Sequence, residues 1–212
     1  MKSDTLFMNI SSDHVVIFNG ENEIFLERND VEKTLWPKLV QLIREWNYNK
    51  IIVLNWPWWF TNLRVGTLCI NILNSVMNNQ IDFFDISKID LYQKACEKWL
   101  LPNLWIIYIG QKRNIWLWNF EKNEKVWQFS FDGVKEKLNT QYFIDEVIDE
   151  NYYPEWVDKT YETKTEFNGE TLVIKYWDKS ISFSVEDLGL QPIKSVAPNY
   201  MIEPNVTLTT KK

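Results

Sequence analysis

The sequence predicts an α/β fold in two lobes, built on a mixed sheet that opens with an antiparallel meander and continues with alternating helix and strand. Three observations predict it. Three short segments, Thr5–Ile10, His14–Asn19 and Glu23–Arg28, follow one another with turn residues such as Asn19-Gly20-Glu21-Asn22 between them. Two helix-period apolar stripes come next, separated by a strand. That strand holds the run Ile51-Ile52-Val53-Leu54, which lacks alternation, as expected when both faces of a strand are covered.

Each element has its own signal. Asn29 or Asp30 caps a helix that runs to about Trp46 on the stripe Val31, Leu35, Leu39, Leu42, Ile43 and Trp46. Pro37 lies inside that stripe and predicts a kink or a late start. Lys50–Asn55 is the covered strand, and a turn leads to a helix from about Thr61 to Met77. Val65, Leu68, Cys69, Ile72, Leu73 and Val76 form the stripe of that helix. Ile81–Ile86 is a short strand, and Ser87 caps a helix over Lys88–Lys98. In the less regular second half, Trp105–Gly110, Ile115–Phe120 and Val126–Phe131 are expected strands around Gln111-Lys112-Arg113-Asn114. Phe143–Ile148 fits either a strand or a helix, while Glu170–Trp177 and Ser180–Val185 form a hairpin around Asp178-Lys179. The tail after Leu190, with Pro192, Pro198 and Pro204, is expected to be extended. The resulting division is an N-terminal lobe over residues 1–100 and a C-terminal lobe over 101–212.

Composition narrows the function. The 212 residues carry a net charge of −6, and Lys and Arg are scattered rather than clustered. A protein that neutralises phosphates by itself presents a basic face, so independent nucleic-acid binding is disfavoured. Two cysteines, Cys69 and Cys96, lie in helix-like apolar patterns and are expected to be buried free thiols. With His14 the only histidine, a mixed Cys/His metal site is not expected. The start lacks the apolar core of a signal peptide and no stretch approaches ~20 apolar residues, so the expected location is the cytoplasm, with no membrane partner.

Tryptophan is abundant and glycine scarce, at twelve and six residues. A usual ~7% of glycine would give roughly 15 in this length. Several tryptophans also stand where a tight turn wants glycine, notably in Trp56-Pro57-Trp58-Trp59. Two explanations fit. Either UGA codons, read as glycine in certain bacterial codes, are rendered here as Trp, or the lineage uses tryptophan as apolar bulk; UGG codons at positions 56 and 58 would rule out the first.

The segment Asn55-Trp56-Pro57-Trp58-Trp59-Phe60-Thr61-Asn62-Leu63-Arg64-Val65-Gly66 resembles the motif G-P-G-S-F-T-G-L-R-I/V-G of the TsaB (YeaZ) family and its larger paralogue TsaD. Pro57, Phe60, Thr61, Leu63, Arg64 and Gly66 are identical and Val65 is permitted, whereas the motif's glycines fall at Trp56, Trp58 and Asn62 and its serine at Trp59. Asn9-Ile10-Ser11-Ser12 occupies the place of the family's first-strand D-T-S-T, and Leu35-Trp36-Pro37-Lys38-Leu39 resembles its L-L-P-L-I helix. Gln111–Trp116 is similar to D-A-R-x-x-E-V-Y without the acids, and Pro198-Asn199-Tyr200-Met201-Ile202 to P-x-Y-L-R with Ile202 in place of Arg. The resemblance implies the actin-like ATPase, ribonuclease-H-like fold. It further implies a non-catalytic subunit that pairs with TsaD, which transfers threonylcarbamoyl to adenosine in tRNA, with TsaE as a regulating ATPase.

Active relatives of that fold need carboxylates on magnesium and glycine-rich turns around phosphates. Here the first-strand carboxylate position holds Asn9, and one histidine cannot supply TsaD's H-x-x-x-H. Asp82, Asp85 and Asp90 are expected to be solvated or helix-start charges. No catalytic, cofactor or metal residue is therefore expected. Thr61 is a candidate cap, Phe60 a core anchor, and Arg64 either an exposed ion pair or a partner contact. Trp36, Leu39, Leu68, Ile72 and Val76, with Ile70, are candidate partner-interface residues on the two helices. The expected partners are a TsaD-like protein, a TsaE-like ATPase in the complex, a second copy of the chain, and tRNA only indirectly. The competing readings are an actin-like nucleotide-binding enzyme and an aromatic-rich ligand-binding module, the latter suggested by 16% aromatic residues.

Overall fold

The computed structural model describes residues 4–12, 14–27, 29–55, 60–77, 80–108, 115–129, 133, 141–145, 155 and 157–198. Its first part runs β1 (Thr5–Asn9), β2 (Val15–Phe18), β3 (Glu23–Leu26), α1 (Val31–Glu45), β4 (Lys50–Asn55), α2 (Phe60–Met77), β5 (Asp82–Ser87) and α3 (Lys88–Glu97). These strands form a five-stranded sheet in the order β3-β2-β1-β4-β5. The meander β1–β3 is antiparallel, with Phe7 opposite Phe18, whereas β4 runs parallel to β1 and β5 parallel to β4.

The second part begins with β6 (Leu104–Tyr108), β7 (Ile115–Asn119), β8 (Glu124–Phe129) and β9 (Phe143–Ile144). They form a four-stranded sheet ordered β8-β7-β6-β9. It repeats the pattern of the first, an antiparallel meander whose first strand takes a parallel neighbour on its other side. A third sheet, β10 (Thr163–Phe167), β11 (Leu172–Tyr176) and β12 (Lys179–Phe183), is wholly antiparallel.

Alternation in the central strands sets the layers. Leu6 and Met8 of β1, Ile51 and Val53 of β4, and Phe83 of β5 point to the face covered by α1 and α2. Phe7, Ile52, Leu54, Phe84 and Ile86 point to the other, where they join α3 and the apolar residues of the second part in one continuous cluster. Burying each such side chain contributes roughly 1.5–3 kcal/mol relative to exposure. In that second cluster Trp105 is fully buried, stacked on Phe143 at 6.0 Å and met edge-on by Tyr92 at 4.8 Å. Phe7 stacks on Phe167 at 5.0 Å, which fastens the third sheet to the first. Cys69 and Cys96 are buried free thiols, pushed up to about 11 and about 12 by loss of solvent.

Several expectations are corrected. The helix α1 begins at Val31 and runs through Pro37, so the late start does not occur. Asp30 stands at its N-cap without a side-chain cap bond; its carbonyl instead accepts from the amides of Lys33 and Thr34, each at 2.9 Å. Ser87 does cap α3, accepting from the Asp90 amide at 3.0 Å. Phe143–Ile144 is a strand, and β10 is a strand the sequence did not announce. The expected continuations to Gly110 and Phe131, the turn at 111–114, residues 146–148 and Pro204 lie outside the described residues. Among the described residues no helix is long and apolar enough to cross a membrane.

Candidate functional site

The described residues next to the link between β4 and α2 come from the C-terminal ends of β4 and β5. Asn55 closes β4, and its side-chain amide donates to Asp85 Oδ1 on β5. Asp85 is mostly buried, and desolvation, reinforced by the nearby Asp90 charge, pushes its carboxyl up to about 7. The expectation that Asp85 is a solvated acid is therefore corrected, whereas Asp82 and Asp90 are exposed. Among the described residues no group of three or more His, Cys, Asp or Glu is placed to hold a metal ion.

Asn9, which closes β1, is committed to shaping its own turn. Its Oδ1 accepts from the Ser11 amide at 2.9 Å and the Ser11 hydroxyl at 2.7 Å, and the residue is 2% exposed. The adjoining cleft of about 580 Å³ is bordered by Asn9, Ser12, Glu23, Glu162, Lys164 and Glu166. With three carboxylates and one lysine on its wall, that cleft is a poor host for a phosphate chain. His14, placed by the meander, has a partner that sequence reasoning missed: its Nε2 lies 2.9 Å from Glu27 Oε2.

Of the motif residues, Pro57 lies outside the described residues, and Phe60 opens α2 with its side chain outside them. Thr61 is the second residue of α2 and half-buried, so it stands in the first turn rather than at the cap. Asn62, fully buried, donates to the Ser12 carbonyl at 2.8 Å and so ties α2 to the segment between β1 and β2. Leu63 is 1% exposed and enters the core, while Arg64 is exposed and forms no ion pair among the described residues. Gly66 faces Ile10 so closely that any side chain there would collide with it.

The helix phase differs from the expected stripe. Among the described side chains of α2, the buried ones are Asn62, Leu63, Gly66, Thr67, Cys69, Ile70, Leu73 and Asn74. Ile70 is thereby a core residue, as is Leu39 of α1, fully buried; neither can meet a partner. Trp36 is half-buried against the same core. Leu68, Ile72 and Val76 point outward, at 56%, 41% and 68% exposure. Spaced by four residues, they lie in one row with Arg64 at its head.

No family model matches the chain, and no curated protein matches it. Two solved structures are similar to it. One is YeaZ from Pseudomonas aeruginosa, at 14% identity and a TM-score of 0.42, covering 66% of this chain and 74% of that one. The other is an uncharacterized protein with similarity to peptidase YEAZ from Pseudomonas aeruginosa, at 14% identity and a TM-score of 0.41, covering 68% and 76%. The overlap is partial, and the functional reading rests on this chain's own residues.

Beside the apolar row lies a second feature absent from the sequence reading. Asn71 donates to the Val196 carbonyl at 2.9 Å and accepts from the Val196 amide at 2.8 Å. Asn74 donates to the Lys194 carbonyl at 2.8 Å, and the Ile193 amide reaches the Phe83 carbonyl at 2.8 Å. Residues 193–196 are thus strapped along α2, which buries Val196 and leaves the outward row uncovered by them. Two mid-helix asparagines were the only signal for it, since such residues favour caps and turns unless they bond elsewhere.

Proposed function

We propose that this chain is a non-catalytic scaffold of the TsaB-like kind, which binds a TsaD-like protein through the outer face of α2 in tRNA threonylcarbamoyladenosine modification. The observation that carries the proposal is the row Leu68, Ile72 and Val76, exposed on the helix that the Pro57–Gly66 motif opens. Scattered apolar side chains on a surface are ordinary; three in one helical row are suited to docking in a partner's groove. Trp36 on α1, half-buried against the core that α1 and α2 share, is included in the proposed interface.

The architecture agrees with this reading. The order β3-β2-β1-β4-β5 with an antiparallel meander is compatible with a ribonuclease-H-like lobe, and the repeated pattern β8-β7-β6-β9 is what a second such lobe would need. On this view residues 1–100 and 101–212 are the two lobes, the second reduced. A TsaE-like ATPase would join through the partner, tRNA would be held by the partner, and a second copy would compete for the same helix. The chain would act in the cytoplasm without a cofactor of its own. An active nucleotide enzyme is the weaker reading, because Asn9 is engaged in its turn and the cleft beside it is acidic.

Co-expression with a TsaD-like protein from the same genome tests the proposal. One co-eluting complex is expected. Separate elution, both with and without ATP and magnesium, would contradict it.

A further inference from the structure

Two tryptophans have a backbone conformation that belongs to glycine. Trp99 has φ +60° and Trp177 has φ +57°; the third such non-glycine residue described is Asn123, a type that tolerates this region. For a residue with a β-carbon the left-handed region brings that carbon against its own carbonyl oxygen, and bulky side chains rarely enter it.

Trp99 closes α3. The Trp99 amide donates to the Cys96 carbonyl at 2.9 Å and the Leu100 amide to the Ala95 carbonyl at 3.0 Å. That pair of bonds is the Schellman ending of a helix, whose left-handed residue is usually glycine. Among the described residues the same pair recurs between the Gly189 amide and the Glu186 carbonyl at 2.9 Å and between the Leu190 amide and the Val185 carbonyl at 3.2 Å. There the left-handed residue is glycine, Gly189 at φ +66°. One motif is therefore closed by glycine in one place and by tryptophan in the other.

Trp177 opens the two-residue turn between β11 and β12, where Tyr176 pairs with Lys179. Trp177 is left-handed and Asp178 is not. A two-residue hairpin turn with only its first central residue left-handed is type II′, and that position takes glycine.

Neither side chain compensates by packing inward, since Trp99 is 90% exposed and Trp177 61%. Trp177 touches Tyr176 and Tyr161 at the surface, and Trp99 has no ring contact among the described residues. Trp105 is the contrast in packing: it is fully buried and stacked on Phe120 and Phe143, although its indole N–H has no hydrogen-bond partner among the described residues.

We propose that positions 99 and 177 are glycine in the protein as its own cell makes it, encoded by UGA triplets that the present sequence renders as tryptophan. Trp105 is a true tryptophan. The inference is independent of the proposed partner, and it rests on backbone geometry at two sites distant from the Pro57–Gly66 motif. It also weakens the aromatic-binding reading at one place: Trp99 and Trp177 border one open groove of about 700 Å³, which loses its exposed indoles when both are glycine.

The test has two arms. Sequencing the gene is expected to show UGA at both positions and UGG at 105; UGG at either 99 or 177 would overturn the proposal. In the full chain, Trp99→Gly and Trp177→Gly are each compared with the alanine variant at the same position. Glycine is expected to raise the folded-to-unfolded ratio above the alanine variant by roughly two- to ten-fold, because only glycine relieves the left-handed strain. Glycine variants no more stable than alanine would overturn it.

Discussion

Gly66 on α2 and Ile10 beyond β1 approach so closely that a β-carbon on residue 66 would lie 2.6 Å from Ile10 Cγ2 and 3.0 Å from its Cβ. Ile10 is fully buried, and the atoms met are near its backbone rather than at a mobile tip. The close approach seats the helix that carries the proposed interface. Gly66→Ala is expected to lower stability by about 1–3 kcal/mol in chemical denaturation, although alanine favours helix by itself. Adding Ile10→Ala should give a double-mutant coupling of the sign that relieves a clash. An unchanged midpoint for Gly66→Ala would contradict this seating.

The Lys88 ammonium donates to Asp145 Oδ2 at 2.6 Å, with side chains 0% and 2% exposed, and the Tyr92 hydroxyl donates to Asp145 Oδ1 at 2.7 Å. The pair joins α3 to the end of β9 inside the core. Asp145→Ala leaves a buried ammonium without its carboxylate and is expected to cost about 3–5 kcal/mol. Replacing both partners, Lys88→Met with Asp145→Leu, should cost less than the single change. Denaturation midpoints of the parent and the two variants decide it.

These two relationships show what the sequence could and could not convey. The meander, α1, β4 and α3 were legible because their signals are local: alternation, a helical stripe, a serine before a helix. The phase of α2 was not, because apolar residues lie on both its inner and outer faces and polar ones on both as well, so a stripe through Leu68, Ile72 and Val76 is as regular as the buried one through Cys69, Ile70 and Leu73. The strand β10 was missed because its inward Thr163 is held by bonds to the Ile144 carbonyl and Tyr92 rather than by apolarity. Lys88 and Asp145 are 57 residues apart, and charged residues are read as solvent-facing unless a partner is known. Of the site, the Pro57–Gly66 corner was legible as a motif, while the tail strap on Asn71 and Asn74 needed the fold.

Asp85 should make stability depend on pH. Its folded-state carboxyl, raised to about 7 from 3.8, keeps a proton that the unfolded chain releases near pH 4. Stability therefore declines as pH rises from about 4 to about 7, and the full cost of the buried charge is present above that window. Asp85→Asn is expected to flatten the decline and to raise stability at pH 8 by roughly 1–3 kcal/mol, keeping an acceptor for Asn55. Thermal melts across pH 4–8 measure it, and parallel curves for the two proteins would refute the assignment.

Cutting the strap should free the tail without unfolding the rest. Asn71→Ala removes both bonds to Val196 and is expected to cost about 1–2 kcal/mol. Amide exchange at 193–196 should quicken while β4 and β5 keep their protection. Uniform loss of protection would mean that the strap is part of the global fold.

The central claim is that the outward row of α2 meets a TsaD-like protein, and titration of that protein with the chain and with a Leu68→Asp, Val76→Asp variant tests it most directly. Both positions are more than half exposed, so the variant should melt within about 1 kcal/mol of the parent while its affinity falls at least tenfold. An equally stable variant that binds as tightly as the parent would contradict the claim.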